Sequence, residues 1–266
     1  MSLMAEASHY SDKGPHRQRN EDVAFAASEE GIFVVADGLG GAAAGDRAAR
    51  VATETVTAVL RCPGDPRGQL EDVLAGDASC EILNALVPPN QDLSSPAAHL
   101  RFAFLVAHCA VLAEARRTGF FGMGTAIIAA WQKPGEWWIG HVGDCRGYAL
   151  EGDRLLRLTR DHSLSAALEG RACLPKGVEN SAFLRSRLTQ VVGGETAPAP
   201  DVSPWTPSHG ARLLLCSDGV WGSLSDEEFR EQLARPDSPE EISCELVQRA
   251  IRAGSRDNVT ALVVAL

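Results

Sequence analysis

The chain has 266 residues, 45% of them hydrophobic, and its 25 Lys and Arg against 35 Asp and Glu give a formal net charge of −10. A chain of this size buries roughly 75% of its unfolded surface, so it needs no disulfides to be stable. The acidic balance, without any Lys/Arg cluster, argues against nucleic acid and anionic membrane surfaces as partners. We therefore expect no binding to nucleic acid or to membranes.

Three features of the sequence indicate where the protein works. The longest strongly apolar stretch, residues 102–113, is well short of the ~20 residues that a membrane span requires. The first 20 residues are polar and charged and contain no apolar signal-peptide core. The seven cysteines form no CxxC pair, which is typical of reduced thiols and gives no zinc-site spacing. The sequence therefore predicts a cytoplasmic protein, and we expect a monomer.

Four helices carry clear local signals. Residues 48–60 repeat apolar and small side chains at the spacing of one helical face. Each of the others is marked by a capping box, or by proline in the first turn and glycine after the last. These three are predicted at residues 95–119, from residue 225 onward, and at residues 238–254.

Six short β-type runs lie between the helices. They are predicted at residues 32–36, 126–131, 137–142, 155–158, 213–216 and 259–264. The strands between residues 126 and 158 follow one another without a helix-length crossover, so they should pair antiparallel. The expected fold class is therefore α+β, with an antiparallel sheet core flanked by helices.

Acidic residues stand at the ends of several predicted strands. Asp37, Asp144 and Asp218 each follow an apolar run, and Asp257 lies just before one. Any single Asp-Gly pair is more simply explained as a turn. A buried carboxylate needs a partner, however, and a set of oxygen ligands without Cys or His suits Mg²⁺ or Mn²⁺ rather than Zn²⁺. Several carboxylates in this position indicate a dinuclear metal site.

Seven short motifs are spread along the chain: GPHRQRNED at residues 14–22, VADGLGG at 35–41, GMGT at 122–125, GDCR at 143–146, DHS at 161–163, SDG at 217–219 and SRDNVT at 255–260. In this order they resemble the motifs of the metal-dependent serine/threonine protein phosphatases of the type 2C class, especially the stand-alone bacterial members. The resemblance extends over residues 11–264. It implies a four-layer sandwich, in which two antiparallel β-sheets pack face to face and are flanked by pairs of antiparallel helices. It also implies one catalytic domain over residues 1–266.

The resemblance implies a role for each acidic motif residue. Asp37 would bridge two metal ions, Asp218 and Asp257 would bind one of them, and the Gly38 carbonyl would bind the other. Arg17 would clamp the substrate phosphate, although an arginine seen alone is more often a solvated surface residue.

Three further acidic residues complete the implied metal centre. Asp22, with Glu21 beside it, would hold the second ion through its water shell. Asp144 would share a weaker third ion with Asp218, near Ser163. The expected cofactors are therefore two Mn²⁺ or Mg²⁺ ions, with a third at lower affinity.

The implied reaction is direct hydrolysis of phosphoserine or phosphothreonine in proteins, opposing a serine/threonine kinase. Two divalent ions lower the pKa of a bridging water from about 15.7 toward neutrality and so create a hydroxide beside phosphorus. The ions and Arg17 neutralise the phosphoryl oxygens, so positioning and electrostatics provide most of the catalysis. The expected partners are phosphorylated proteins and the cognate kinase system.

The chain departs from the family pattern at two positions. Leu39 replaces the histidine that eukaryotic relatives use as a general acid, so the proton must come from a metal-bound water or another group. His141 and His162 are candidates, although a packed or solvent-facing histidine is the simpler explanation of each. Cys145 replaces the usual serine, and its weaker hydrogen bonding is expected to loosen Asp144. Residues 164–187, with Arg171, Lys176, Arg185 and Arg187, fall where the family has a mobile flap that influences substrate access, although a solvated face also explains these charges.

Two other functions are weighed against this one. Gly38, Gly40 and Ala43 fit the fingerprint of a dinucleotide-binding turn, but no second parallel strand ending in an acidic residue follows. Asp37 would also repel a pyrophosphate. The remaining alternative is a catalytically weak regulator of the same fold that binds phosphoproteins. Because every expected metal-site carboxylate is present, the enzyme is the preferred hypothesis.

Overall fold

The fold is built from ten strands and eight helices within the described residues, which are 5–40, 44–62, 64–69, 79–88, 90–169 and 181–266 of a computed structural model. The strands are β1 Glu6–Asp12, β2 Asp22–Ala27, β3 Ile32–Leu39, β4 Gly124–Lys133, β5 Glu136–Val142, β6 Arg146–Glu151, β7 Arg154–Arg157, β8 Asp201–Trp205, β9 Arg212–Cys216 and β10 Val259–Ala265. The helices are α1 Gly45–Arg61, α2 Ser79–Leu86, α3 Pro96–Thr118, α4 Leu164–Leu168, α5 Ala182–Arg185, α6 Asp218–Trp221, α7 Asp226–Leu233 and α8 Pro239–Arg252, with a 3₁₀ turn at Pro66–Gln69.

The strands form two five-stranded sheets. The first has the order β1-β10-β9-β6-β7 and the second has the order β2-β3-β4-β5-β8. Every neighbouring pair is antiparallel, as predicted. The inner faces of the two sheets share one apolar layer, in which Phe33 and Val35 of the second sheet join Leu213 and Leu262 of the first.

Helices cover both outer faces of the sandwich. Apolar residues of α1 and α3 pack on the second sheet, and those of α7 and α8 pack on the first. Burial of these amphipathic faces removes from water the apolar surface that each sheet presents outward. The four-layer α+β sandwich that the sequence predicted is thereby confirmed.

The predicted start and stop signals lie at the observed helix ends. Ser95 caps α3 by accepting a hydrogen bond from the Ala98 amide at 3.3 Å, and Gly119 ends the helix in the left-handed conformation with φ 76°. Ser225 and Ser238 both form complete capping boxes. Caps of this kind satisfy amide groups that have no partner within the helix.

The six predicted strands are all present, with ends that differ by a few residues. β1, β2, β6 and β8 were not predicted. β1 and β8 are edge strands in which all side chains except Trp205 are half-exposed or exposed, so they lack the apolar signal of a buried strand. β8 also contains Pro204, which is tolerated at an edge because it has no amide to donate.

Helix α3 has the length and composition of a membrane span, and its most apolar window is 61% buried inside the fold. The prediction of no span considered only the short apolar run 102–113. Two buried histidines tie this helix to its surroundings. His99 Nε2 lies 3.0 Å from the Val59 carbonyl oxygen, and His108 Nδ1 accepts from the Gly193 amide at 3.1 Å. Packing against the sheet accounts for the apolar composition of α3.

Candidate metal centre

The first two carboxylates of the candidate site are brought together by the β2–β3 pair. Asp22 and Asp37 lie directly opposite each other in the strand register, and such opposed residues have Cα atoms about 4.5–5.5 Å apart. β3 runs on past Asp37 to Leu39 along β4, where the Thr125 hydroxyl donates to the Asp37 carbonyl at 2.7 Å. This contact fixes the backbone that carries the second carboxylate.

The other sheet supplies two further carboxylates. Asp218 directly follows β9, and Asp257 lies two residues before β10, which is the neighbour of β9. The Asp37 carboxylate interacts electrostatically with Asp218. Asp144, which follows β5, interacts electrostatically with Asp218. Five aspartates from distant parts of the chain therefore meet at one end of the sandwich.

Burial and mutual repulsion shift the acidities of these groups. The pKa of Asp22 is raised to about 7 by burial and by the charges of Asp218 and Asp257. Burial and neighbouring charge raise the pKa of Asp218 to about 6, and the pKa values of Asp37 and Asp144 well above the ordinary range. Like charges held this close need a cation to stabilise their ionised forms.

Two buried oxygens point to where such a cation fits. Within the described residues, Asp22 Oδ1 and Asp218 Oδ1 have no hydrogen-bond partner. The other oxygen of Asp22 accepts from the Ser217 hydroxyl at 2.7 Å, which fixes the orientation of the carboxylate. A buried acceptor without a donor is costly. Hard divalent cations prefer carboxylate oxygens, so this donor set fits Mg²⁺ or Mn²⁺.

Gly38 lies at a close approach between β3 and α1. A Cβ atom at this position would lie 2.1 Å from the Gly45 carbonyl oxygen and 2.8 Å from the Glu21 carbonyl oxygen. The Gly38 amide donates to the same Glu21 carbonyl at 3.2 Å. The Glu21 carboxyl group in turn lies beside Gly45. Glu21 and Gly38, predicted to serve the same ion, are therefore neighbours.

Arg17 stands at the open edge of the aspartates. Its Nη2 lies 2.6 Å from Asp257 Oδ2, and its side chain is 45% exposed. It also interacts electrostatically with Asp37 and Asp218. A half-exposed guanidinium beside buried carboxylates can contact an anion that enters from solvent.

Sequence reasoning missed the polar side chains that hold these groups in place. Asn258 is 3% exposed. Its Oδ1 accepts from the Glu21 amide at 2.9 Å, and its Nδ2 donates to the carbonyls of Lys13 and Arg19 at 2.9 and 2.8 Å. Asn258 therefore closes the loop that carries Arg17. Its place directly after Asp257 was the one available signal.

The two candidate histidines are committed elsewhere. The Gly143 amide donates to His162 Nδ1 at 3.1 Å, so the ring carries its proton on Nε2, which donates to Asp201 at 3.2 Å. His141 Nε2 lies 2.8 Å from the Arg160 carbonyl oxygen. His141, His162 and Asp201 offer three possible metal donors within 4.8 Å. The two rings stack at 18°, however, and nearly parallel rings cannot both aim an in-plane lone pair at one ion.

Two further predictions concern Cys145 and the expected flap. Cys145 is buried between the sheets, and burial raises the pKa of its thiol well above the usual range. The Asp144 carbonyl accepts from the Trp221 indole at 2.9 Å, and looser binding of Asp144 stays a prediction. Of the expected flap, Arg185 and Arg187 are exposed. Arg171 and Lys176 lie outside the described residues.

The comparison with protein families matches residues 7–250 to protein phosphatase 2C. The chain belongs to the protein phosphatase 2C family. The dinucleotide-binding alternative also fails on the fold, because β3 pairs antiparallel with both of its neighbours. The fold, the motif order and the family thus agree.

Related phosphatases of this family include two bacterial proteins. The chain is 30% identical over 258 residues to the serine/threonine phosphatase stp of Listeria innocua, covering 95% of this chain and 92% of that protein. It is 29% identical over 265 residues to the serine/threonine protein phosphatase PstP of Mycobacterium tuberculosis. That match covers 99% of this chain but only 45% of PstP, so the chain spans less than half of that relative.

A solved structure extends the comparison to metal binding. The catalytic domain of PstP in complex with two manganese ions superposes with a TM-score of 0.74 at 26% identity, covering 98% of this chain and 97% of that chain. Members of this protein phosphatase 2C family are metal-dependent phosphatases, and a relative with the same fold binds manganese.

Proposed function

We propose that this chain hydrolyses phosphoserine and phosphothreonine in proteins and so reverses the action of a serine/threonine kinase. The observation that carries the proposal is the buried aspartate cluster, with two partnerless oxygens, beside the half-exposed Arg17. Family membership and relatives named serine/threonine phosphatase support it. The cluster provides the cation site and the arginine provides the anion contact that this reaction needs.

The proposed ligands follow the sequence predictions. Asp37 would be shared by two ions, Asp218 and Asp257 would hold one of them, and the Gly38 carbonyl would hold the other. Glu21 and Asp22 would support the second ion through water. Asp144 would share a third ion with Asp218. These oxygen ligands favour Mn²⁺ or Mg²⁺.

When bound to these carboxylates, divalent ions would supply Lewis acidity, which would activate water as a nucleophile and neutralise the phosphoryl oxygens. Arg17 would bind a phosphoryl oxygen, and its ion pair with Asp257 holds the guanidinium at the edge of the cluster. Ser217 holds Asp22 in one orientation, so this carboxylate does not have to reorganise during the reaction. Leu39 has no acidic proton to give, and both ring nitrogens of His162 are bound to Gly143 and Asp201. We therefore propose that the leaving oxygen takes its proton from water.

The proposed domain and partners extend the same hypothesis. The chain would act as one catalytic domain in which residues 164–187 form the flap. Its partners would be phosphorylated proteins and a kinase system of opposite activity, and it would act as a monomer.

The test replaces one carboxylate at a time. Asp37→Asn and Asp218→Asn are expected to lower Mn²⁺-stimulated hydrolysis of p-nitrophenyl phosphate and of a phosphothreonine peptide by about 100-fold or more, because each removes a metal ligand. Asp153→Asn, in the exposed turn between β6 and β7, is the matched control and should keep the parent rate. Circular dichroism checks that each variant is folded.

Two results would contradict the proposal. Folded D37N and D218N variants with the parent rate would remove these residues from the site. A parent protein that binds phosphopeptides but does not turn them over with Mn²⁺ or Mg²⁺ would instead be the phosphoprotein-binding regulator.

A further inference from the structure

A basic channel lies where the edges of the two sheets meet. A groove of about 420 Å³ between β8 and the segment after β7 is lined by Arg101, Arg157 and Arg160. An adjoining cavity of about 200 Å³ shares Arg157 and Arg160 and adds Arg146 and Arg185. We use the name basic channel for the two cavities together, defined by these five arginines.

The basic channel carries positive charge on an acidic protein. The described residues that line it include three carboxylates, Asp161, Glu169 and Asp201, against the five arginines. The channel therefore has an excess of two positive charges in a chain whose net charge is −10. Concave surfaces lined by one sign of charge concentrate ligands of the other sign.

The carboxylates that line the channel already have partners. Asp161 is held between Arg146, at 2.7 Å, and Arg157. Asp201 accepts from His162, and Glu169 lies 3.5 Å from Arg160 with both side chains about two-thirds or more exposed. An exposed pair of this kind is weak and exchanges readily with solvent.

Within the described residues, neither Arg101 nor Arg160 has a close acidic partner that an incoming anion would have to displace. Arg101 has no acidic partner within the described residues, and its polar contact is one 3.4 Å hydrogen bond to the Val202 carbonyl. Arg160 donates to the Ala166 carbonyl at 2.6 Å, and its side chain is 66% exposed. Arginine presents several donors in a planar fork that matches a carboxylate or a phosphate.

The channel is close to the aspartate cluster. His141, which lines the groove, lies three residues before Asp144, so their Cα atoms are at most about 11 Å apart. The Arg146 guanidinium stacks 3.5 Å from the centre of the Trp221 ring, whose indole donates to the Asp144 carbonyl. An extended peptide advances about 3.3 Å per residue. A side chain three to five residues from a phosphoserine in the site therefore reaches the channel.

We infer that the basic channel binds acidic residues that flank the phosphorylated residue of a protein substrate. This inference rests on the proposed function, and it names the substrate class as phosphoproteins with Asp or Glu three to five positions from the phosphate. A carboxylate at that distance would meet Arg101 and Arg160.

Paired peptides test the inference on the parent protein. One phosphothreonine peptide carries Glu three to five residues on both sides of the phosphate, and the other carries Gln at the same positions. We expect kcat/KM to be at least about fivefold higher for the Glu peptide, the size that two partly exposed ion pairs provide. The ratio between the peptides should fall toward one at high salt, because salt screens exposed charges.

Arginine variants test whether the channel causes the preference for the Glu peptide. R101A/R160A should lose it while hydrolysis of p-nitrophenyl phosphate and the thermal midpoint stay at the parent values, and R101E/R160E should prefer a Lys peptide. The matched control R230A/R252A removes two exposed arginines from helices α7 and α8, away from the channel, and should keep the parent preference.

The outcomes separate the two proposals. Equal kcat/KM for the Glu and Gln peptides, or an equal loss on both in R101A/R160A, would overturn the docking role while leaving the phosphatase in place. A parent that hydrolyses neither peptide with Mn²⁺ would overturn the proposed function itself.

Discussion

Asn258 shows how one side chain can organise a site without contacting the reacting groups. It bridges Glu21 and the loop from Lys13 to Arg19, and its own carbonyl packs so closely on Gly219 that a Cβ there would lie 2.0 Å away. Its neighbour Asp257 holds Arg17. The arginine is therefore fixed from both ends, through its side chain and through its loop.

Replacement of Asn258 by aspartate is expected to free this loop. The substitution keeps the acceptor oxygen but replaces the donor NH2 group with a carboxylate oxygen, which would repel the Lys13 and Arg19 carbonyl oxygens. We expect this to cost about 1–3 kcal/mol in the free energy of unfolding. We expect N258D to raise KM for a phosphopeptide about tenfold, because one lost charge-assisted contact has that effect. Mn²⁺ affinity, measured by titration of tryptophan fluorescence, should change less.

The exposed Asn84→Asp provides the matched control for that substitution, since it adds the same charge on the surface of α2. If N258D weakened Mn²⁺ binding as much as it raised KM, Asn258 would be a general support of the fold rather than a residue that positions Arg17.

At this scale the sequence predicts the aspartates but not their supports. Asp37 and Asp218 are visible because each interrupts an apolar run with Asp-Gly. The supporting role of Asn258 cannot be predicted in this way, because its partner Glu21 is 237 positions away. No local pattern can specify such a contact, which depends on how two sheets pack.

The joint between β3 and α1 is the element on which the predicted metal ligands depend most directly. Gly38 and Gly45 touch backbone to backbone, which brings the start of the helix against the end of the strand. Only glycine permits this approach, since any Cβ would overlap the facing carbonyl. The joint therefore sets where the Gly38 carbonyl and the Glu21 side chain can lie.

Alanine at Gly38 is expected to separate the strand from the helix. We expect G38A to lower the free energy of unfolding by about 3 kcal/mol or more, the upper range for overpacking, and to abolish Mn²⁺-stimulated turnover. Chemical denaturation and the p-nitrophenyl phosphate assay measure the two effects.

Gly135→Ala serves as the control for backbone strain alone. Gly135 has φ 80° with nothing near its missing Cβ, so alanine there should cost only about 1–2 kcal/mol and leave activity intact. A G38A protein as stable and active as G135A would refute the importance of the joint.

Elements differ in how well local sequence specifies them. Capping boxes and the Pro-to-Gly limits of α3 act within a few residues, so the helix ends were predictable. β1 and β2 have half-exposed or exposed residues along much of their length, and long-range pairing with β10 and β3 makes them strands. Tertiary context decides such strands, because β propensity is a weak local preference.

At the scale of the whole molecule, the metal centre opposes folding until its charges are balanced. Burial raises the pKa values of Asp22 and Asp218 above that of an ordinary aspartate. The folded state thus holds protons more tightly than the unfolded state at these positions. The stability that these two groups contribute to the metal-free protein is therefore lost as pH rises from about 4 through about 7.

This linkage predicts how pH and metal act together. With a chelator present, the thermal midpoint should be lower at about pH 8 than at about pH 6, since the aspartates are then charged and repel one another. Mn²⁺ should raise the midpoint most at the higher pH, because metal ligands must be deprotonated. Calorimetry with and without Mn²⁺ at both pH values measures both effects.

The double variant Asp22→Asn/Asp218→Asn separates this centre from the general effect of net charge. It should flatten the pH dependence of the metal-free protein and remove most of the response to Mn²⁺. A parent midpoint that did not fall with rising pH in chelator would contradict the linkage.

β10 follows every other element in chain order, yet it lies in the interior of its sheet between β1 and β9. Its first residue is two positions beyond Asp257, and its Thr260 amide donates to the Ser217 hydroxyl that holds Asp22. A ribosome-bound chain whose residues 259–265 are still in the exit tunnel therefore has an open slot where the sheet should close. Such a chain lacks the Thr260 contact to Ser217, so we expect the aspartate cluster to take its final form only after residues 259–265 have left the tunnel.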